Sequence, residues 1–202
     1  MKIKYIIVSF CLFLLFYSIS FSEETGNLLV NGNASNNMNG WINPQGAFKT
    51  STSEVSTLDG PYFWPGCKRI NFCEMYQDIP VKQYVGKTCV ASVYVRDYVK
   101  NHGDEQCLVL EFFNNSGVSI SSEIKHSTKQ DKWLKLEISK CIPYGAVTAR
   151  IILRGIRHNG SDCDSYFDNA SFKIIGINSN NKTNVNNKKV NNKNSKLTYC
   201  AS

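Results

Sequence analysis

Apolar and polar residues alternate with a period of two along the central part of the chain. In the run TCVASVYVR every second residue is small or apolar, and Tyr94 and Arg96 fall in the other set. The run VTARIILR repeats the pattern, with Arg150 and Arg154 opposite the apolar set. Such alternation is typical of strands buried on one face. It predicts two strands whose tyrosine and arginine side chains point away from the core.

Three more β-rich runs follow the same logic: CLVLEFF (107–113), WLKLEI (133–138) and YFDNASFKII (166–175). Clusters such as NNMNG, LDGPY and FNNSG punctuate them, and Gly, Asn and Asp at these points favour turns. We find no convincing amphipathic helix. Many short strands with turn punctuation predict an all-β antiparallel sandwich or jelly roll.

The two ends of the chain differ from this body. Residues 1–22 carry two lysines, an apolar run and small residues near Ser20 and Ser22, the layout of a cleaved secretory signal peptide. The alternative is an uncleaved membrane anchor, for which the apolar run is short. Residues 178–202 are rich in Asn and Lys and too polar to bury a core, so we expect a disordered tail. The prediction is a secreted protein with one folded domain, 23–177, and no membrane span after cleavage.

The net charge of +7 does not belong to that domain. Two lysines lie in 1–22 and five in 178–202, and removing these seven from 23 basic residues leaves 16 against 16 acidic residues. A neutral body offers no charge excess to phosphates, so we exclude a nucleic-acid-binding function.

The cysteines fit an oxidising compartment. Cys67 and Cys73 are the one close pair, so we predict a disulfide between them. Six body cysteines would allow up to three disulfides; metal binding is the alternative, although no C-x-x-C pair occurs. Cys200, in the tail, is either a free thiol or the link of a disulfide-bonded dimer. The six are Cys67, Cys73, Cys89, Cys107, Cys141 and Cys163.

N-x-S/T sequons mark candidate glycosylation sites, which would place their asparagines on the surface of a secreted glycoprotein. They occur at Asn33, Asn114, Asn159, Asn169 and Asn181.

Four segments occur in an order and spacing that are familiar: NLLVNGNASNNMNGW (27–41), MYQDIPVKQYVGKTCVASVYVRD (75–97), segment 132–138 with a "W-x-x-l-x" pattern, and segment 147–175, which ends in YFDNASFKII. Together they resemble the opening, the middle strands, a later strand and the closing "v-r-i-l-g…yfDdvsl" of family 4/9 carbohydrate-binding modules. The F-box-associated glycan-binding domain is a more distant resemblance. The match implies the galactose-binding-like jelly roll, with the two chain ends adjacent. We also expect Trp41 in the core.

The resemblance also implies a ligand groove across the concave outer face of one sheet. Outward residues of the strands would line it, so we predict Tyr94, Arg96, Arg150 and Arg154 as ligand-binding residues. Tyr94 would stack on a sugar ring, and the arginines would donate to hydroxyls or to an acidic sugar. The alternative is an ordinary solvated face.

Two loops are further candidates. Tyr62, Phe63 and Trp64 are consecutive, and three consecutive aromatic residues cannot all face inward from a strand. We therefore predict Tyr62 and Trp64 as ligand-binding residues; the alternative is a loop pinned to the sandwich. The polar loop 155–165 is the other candidate, because the resemblance to the F-box-associated domain implies that a loop just before the last strand touches glycan. A glycan on Asn159 would obstruct it.

Asp168 matches the acid that holds a structural calcium ion in many galactose-binding-like domains. Asn31 and Asn33 would supply further oxygen ligands of the kind that Ca²⁺ prefers. The alternative is that Asp168 caps the first-strand loop by hydrogen bonds without a metal ion.

The sequence contains none of the common catalytic motifs, and its three histidines are far apart along the chain. We therefore expect no enzyme. The prediction is a secreted, lectin-like glycan-binding module. The alternative is a protein-interaction or adhesion module of the same fold with no sugar ligand, because this fold serves both functions.

Overall fold

The computed structural model describes most of the predicted body. The described residues form two antiparallel β-sheets packed face to face, which confirms the predicted antiparallel β-sandwich. The described ranges are 23–68, 70–98, 103–128 and 131–177.

The predicted signal peptide (1–22) and tail (178–202), with Cys200 and Asn181, lie outside the described residues. Both stay predictions. Within the described ranges, no helix has the length and apolar character needed to cross a bilayer.

Ten strands and a short 3-10 helix, Lys82–Tyr84, follow one another in the described ranges. The strands are β1 (Glu23–Glu24), β2 (Lys49–Ser51), β3 (Tyr62–Trp64), β4 (Phe72–Pro80), β5 (Thr88–Asp97), β6 (Glu105–Phe113), β7 (Ser119–Thr128), β8 (Leu134–Cys141), β9 (Thr148–Ile156) and β10 (Ser165–Ile177).

The strands divide into two sheets. The first sheet has the order β2-β3-β10-β5-β8, with β1 paired to β10, and the second sheet has the order β4-β9-β6-β7. Consecutive strands therefore often lie in different sheets: β5 belongs to the first sheet, and β4 and β6 to the second. Sheet membership decides which outward side chains can meet on one surface.

The inward faces of both sheets supply the core. Val93 and Val95 of β5 and Ile151 and Leu153 of β9 are fully buried, as their alternation predicts. Trp41 is 7% exposed and packs edge-on against Phe63, with ring centroids 5.5 Å apart. The predicted core position of Trp41 is confirmed.

The N-terminal segment is tied to the last strand, so the two ends of the domain are adjacent, as the resemblance implies. The Asn27 side chain donates to the Ala170 carbonyl at 3.0 Å and accepts from the Phe172 N–H at 2.9 Å. Further along, the Leu28 N–H donates to the Phe172 carbonyl at 2.8 Å.

Residues 52–60, here called the cover loop, fold over part of the outer face of the first sheet. The Tyr62 hydroxyl accepts from the backbone N–H groups of Glu54 and Val55 at 2.8 and 3.1 Å. The Trp133 indole N–H donates to the Ser56 carbonyl at 2.9 Å. Tyr62 and Tyr166, both fully buried, pack edge-on beneath the loop with centroids 5.3 Å apart. The loop thus buries a small second core outside the first sheet.

The predicted Cys67–Cys73 disulfide is present. Three disulfides do not form, because Cys89, Cys107 and Cys163 are free thiols. Cys89 belongs to the core between the sheets and Cys107 to the outer face of the second sheet, so a sheet separates them. Burial raises the pKa of each of these three thiols to about 12, which keeps them protonated at neutral pH.

Candidate functional site

The four strand residues predicted to bind ligand lie on two surfaces. Tyr94 and Arg96 belong to β5 in the first sheet, whereas Arg150 and Arg154 belong to β9 in the second sheet. Because each sheet turns its inner face to the core, the two pairs project from opposite outer faces of the sandwich. The single groove expected from the sequence is therefore not formed. The alternation along a strand predicts which side chains point inward and which point outward. The sheet to which the strand belongs depends on its pairing with distant segments.

An apolar row crosses the outer face of the second sheet from edge to edge. Tyr76 pairs with Ile152, Ile152 with Val109, and Val109 with Ile124. Opposed residues of an antiparallel pair project from the same face. At a strand spacing of about 4.8 Å the row extends about 14 Å. Ile152 and Val109 form its centre and are nearly buried, with 5% and 8% of their surface exposed. Ile124, at the edge, is 50% exposed.

Two charged rows flank this apolar row. Each lies one pleat away on the same face and runs parallel to it. Their members are Asp78, Arg150, Glu111 and Ser122 on one side, and Glu74, Arg154, Cys107 and His126 on the other.

Arg150 is clamped in place. Its Nε and Nη2 donate to the two Asp78 carboxylate oxygens at 2.7 and 2.8 Å, and its guanidinium lies 3.9 Å from the Tyr76 ring centroid. The Phe113 ring lies 4.9 Å away. Hydrogen bonding to Asp78 raises the pKa of the guanidinium, although burial opposes the rise. The group is oriented before any ligand arrives, and no described residue accepts from its Nη1.

Arg154 repeats the arrangement in the other charged row. Its Nε and Nη2 donate to one oxygen of Glu74 at 3.0 and 2.8 Å, and its guanidinium lies 5.7 Å from the Phe72 ring centroid. Phe72 itself is 47% exposed. The face therefore pairs fixed polar groups with exposed apolar ones.

A cleft of about 380 Å³ opens beside Arg150, at the end of this face, and Phe113, Asn114 and Thr148 help to line it. The Asn114 side-chain oxygen accepts from the N–H groups of Ser116 and Val118, both at 3.0 Å, which fixes the turn. Asn114 is one of the predicted glycosylation sites, so a glycan there would stand at the end of the face.

At the other end, Glu105 joins two histidines that are 32 residues apart in sequence. Glu105 Oε1 lies 2.8 Å from His126 Nδ1, and Oε2 lies 3.2 Å from His158 Nε2. Burial alone would raise the pKa of Glu105, but the histidine hydrogen bonds outweigh it and hold that pKa below its usual value. His126 lies within β7, whereas His158 lies in the polar loop 155–165.

The polar loop 155–165 is held by a buried carboxylate. Asp104 accepts from the backbone N–H groups of His158 and Asp164, both at 2.8 Å, and of Asn159 at 3.2 Å. The Trp64 indole N–H donates to the Cys163 carbonyl at 2.8 Å. The loop that the sequence marks as a candidate is thus a fixed rim beside the second sheet.

The two aromatic candidates, Tyr62 and Trp64, differ in position. Tyr62 is fully buried beneath the cover loop and has no ring face for a ligand. Trp64 is half-buried, and the Lys49 ammonium lies 3.9 Å above its ring. Of the two, Trp64 alone has ring surface at the protein exterior.

Arg96 also has a structural contact. Its Nη1 donates to the carbonyl and the hydroxyl of Ser56 in the cover loop, which ties that loop to β5. Tyr94, two residues earlier, is half-buried at the floor of a separate trough.

The predicted calcium ligands fit a metal ion only in part. Asp168 is fully buried, and its Oδ2 has no hydrogen-bond partner. The side-chain oxygens of Asn31 and Asn33 are instead engaged within their own loop, by the N–H of Asn36 and by Ser35. In the described ranges, no three His, Cys, Asp or Glu side chains are arranged to hold a metal ion. Since Ca²⁺ takes six to eight oxygens, this trio does not assemble its shell.

Asp168 also has an altered acidity. Burial raises its pKa to about 6, and the backbone N–H groups of Asn169 and Asp59 offset part of the rise. The Asn169 N–H donates to Oδ1 at 2.7 Å. These donors belong to the next residue and to the cover loop, not to the first-strand loop that the alternative named, and calcium itself stays a prediction.

Residues of β4 were missed as site residues by the sequence argument. Phe72, Glu74, Tyr76 and Asp78 all project from the outer face of the second sheet. The sequence does carry a signal for them: residues alternate in FCEMYQDIP, and the intervening residues are buried. This alternation could have predicted that the four side chains point outward, but not that they lie opposite the arginines.

Comparisons with known proteins bear on the fold. No protein-family model matches the chain, and no curated protein matches its sequence. Solved structures match at low identity. A family 16 carbohydrate-binding module gives a TM-score of 0.56 at 17% identity, over 72% of this chain and 99% of that one. TmCBM61, solved in complex with β-1,4-galactotriose, gives 0.52 at 12% identity, over 73% and 98%.

A third match is the enzymatically active domain of tailspike protein 4 from bacteriophage CBA120. It gives a TM-score of 0.58 at 14% identity, over 73% of this chain but 21% of that one. The chain thus spans about a fifth of that domain. These likenesses show the jelly-roll sandwich of carbohydrate-binding modules. The particular assignment to families 4/9 stays a prediction.

Proposed function

We propose that this protein is a secreted, non-catalytic module that binds an uncharged glycan chain across the outer face of the second sheet. The observation that carries the proposal is the apolar row, Tyr76 to Ile124, between two rows of fixed polar groups. The ligand would lie along this row, perpendicular to the strands.

The chemistry of the face suits a sugar. Binding sites for small molecules combine apolar and aromatic surface with a few well-placed polar groups. Here Ile124 and the part of the Tyr76 ring that Arg150 leaves uncovered offer apolar contact to the C–H face of a sugar ring, and Arg150 and Arg154 offer N–H donors to its hydroxyls. Because both arginines are already paired with carboxylates, little reordering would accompany binding. The structural likeness to carbohydrate-binding modules supports the same conclusion.

The charges of the face favour an uncharged ligand over an acidic one. Arg150 is paired with Asp78 and Arg154 with Glu74. Glu111 adds a further carboxylate to the same face. With both arginines paired, an acidic sugar would gain no unpaired guanidinium from the described residues of this face and would lie close to carboxylates. This departs from the acidic-sugar possibility that the sequence left open.

The test is a glycan-array screen of the full-length protein, followed by affinity measurements on two variants. Tyr76→Ala removes the ring and Arg150→Ala the clamped donor, and each is expected to weaken binding by at least about tenfold, which corresponds to about 1.4 kcal/mol. Tyr144→Ala is the control, because Tyr144 is 95% exposed and takes no part in the face. Circular dichroism would check that each variant is folded.

Other outcomes would redirect the proposal. Binding that survives both substitutions would place the glycan elsewhere. Silence across the array from folded protein would favour the protein-interaction function, for which the exposed Phe72 and Ile124 would also serve. Hydrolysis of a bound glycan would refute the non-catalytic part.

A further inference from the structure

The outer face of the first sheet carries a trough that the proposed glycan face does not use. It has a volume of about 450 Å³, within the range of small-molecule sites. Ser92 and Tyr94 of β5 and Ser171 of β10 form its floor, where Ser92 and Ser171 are directly paired. We call it the Tyr94 trough.

The floor presents hydroxyl groups that no described side chain or backbone group engages. The hydroxyls of Ser92, Ser171 and Tyr94 bond to no residue of the described ranges, although Ser92 is only 8% exposed. A hydroxyl both donates and accepts, so three of them offer a matched surface to another polyhydroxylated molecule. The half-buried Tyr94 ring beside them supplies an apolar face.

The walls of the trough are closed by ion pairs. Lys135 bonds to Glu137 on the β8 side, and Lys173 bonds to Glu24 at 2.9 Å on the β1 side. Each wall is therefore neutral overall. Small serines on the floor between longer charged side chains produce the concave shape. Such neutral walls favour an uncharged ligand over an anion or a cation.

We infer that the Tyr94 trough is a second sugar site, which takes one uncharged sugar unit, and that the domain can hold two glycans at once. The inference rests on the proposed function in so far as both sites take sugars. The sites lie on opposite outer faces of two sheets packed about 10 Å apart, so occupancy of one does not block the other. A monomer with two such sites would bridge glycan chains.

The experiment is an NMR titration of the full-length protein produced in the bacterial periplasm. That compartment forms disulfides, and the sequon at Asn169, which also lines the trough, stays unmodified there. The probes are the methyl β-glycosides of glucose, galactose and N-acetylglucosamine. We expect saturable shifts of the Ser92, Tyr94 and Ser171 amides with at least one probe.

Variants separate the two sites. Tyr94→Ala should weaken binding at the trough by about tenfold and leave shifts on the second sheet unchanged. Ser171→Lys, which fills the trough, is the second variant, and it keeps the inference testable if Tyr94→Ala does not fold. Ser139→Ala, on the exposed edge strand β8, is the control.

Each outcome is decisive. Trough shifts that Tyr94→Ala or Ser171→Lys abolishes support the second site. Shifts confined to the second sheet overturn the second site and leave the proposed function intact. Shifts confined to the trough support this site, and the glycan array then decides the proposed glycan face, which takes a chain. No shift on either face overturns the second site and leaves the proposed function to the array.

Discussion

Asp168→Asn tests how a buried carboxylate is accommodated beneath the cover loop. Asp168 is fully buried, its Oδ2 has no partner, and burial raises its pKa from 3.8 to about 6. For an acid whose folded-state pKa is raised, the native state binds more protons than the unfolded state between the two values. Stability therefore falls as pH rises from about 4 to about 6, and the full cost persists above that range.

The magnitude follows from the pKa values. A rise from 3.8 to about 6 corresponds to a cost of about 3 kcal/mol at pH 7.5 and well under 1 kcal/mol at pH 4. The asparagine side chain keeps the acceptor for the Asn169 N–H but places an unsatisfied NH₂ where Oδ2 was. That penalty does not depend on pH. The substitution therefore changes the free energy of unfolding by one amount at pH 7.5 and by another at pH 4, and only the ionisation of Asp168 makes the two amounts differ. We expect the change at pH 7.5 to be more favourable to the variant by about 2 to 3 kcal/mol.

The assay is urea denaturation of wild type and variant at the two pH values, in chelator, with the exposed Asp131→Asn as the control. A pH-independent stability difference between wild type and Asp168→Asn would refute the buried-charge argument. Repeating the assay with calcium decides the metal question. If calcium binds Asp168, the ion stabilises the carboxylate, and the substitution should become destabilising at pH 7.5 when calcium is present.

Three further predictions concern packing and charge. Gly155→Ala should lower the free energy of unfolding, measured by urea denaturation, by about 1 to 3 kcal/mol, because a Cβ would lie 2.7 Å from Pro65 and 2.9 Å from the Cys163 sulfur. Gly26→Ala is the control, because a Cβ there would meet open space. Asp104→Ala should speed hydrogen exchange of the amides in the 155–165 loop, because the His158 and Asp164 N–H groups donate to the Asp104 carboxylate. Exchange in the core strands should stay unchanged. Glu105→Gln should reduce the loss of stability below pH 4.5, because the lowered pKa of Glu105 contributes stability that is lost as the carboxylate is protonated; an unchanged pH profile would contradict this.

Local alternation was enough to predict the sandwich. It separated the buried valines of β5 from Tyr94 and did the same in β9 for Arg150 and Arg154. This works because side-chain direction in a strand has a period of two, whatever the partner strand is. The Cys67–Cys73 disulfide could also be predicted, because these two cysteines, six residues apart, are the one close pair in the body.

The candidate site could not be predicted in the same way. Tyr94 and Arg150 have equivalent positions within their strands, yet they lie on opposite faces of the molecule. The decisive fact is the pairing of β9 between β4 and β6, which joins segments about 75 and 45 residues apart and leaves no local trace. Burial of Tyr62 was missed for a related reason: the cover loop has no periodicity, so nothing local indicates that it folds back over a sheet.

The centre of the apolar row is packed by the protein itself. Ile152 and Val109 lie on an outer face yet are almost fully buried, because Cys107, Tyr76 and Ile156 pack around them. Arg150 and Arg154 stand in the flanking rows, held by carboxylates of β4. A ligand that lies along the row would therefore meet a floor already dehydrated by the protein and donors already oriented. That combination favours a flat ligand with both C–H and hydroxyl surfaces over a purely apolar partner, which would leave the clamped donors without acceptors.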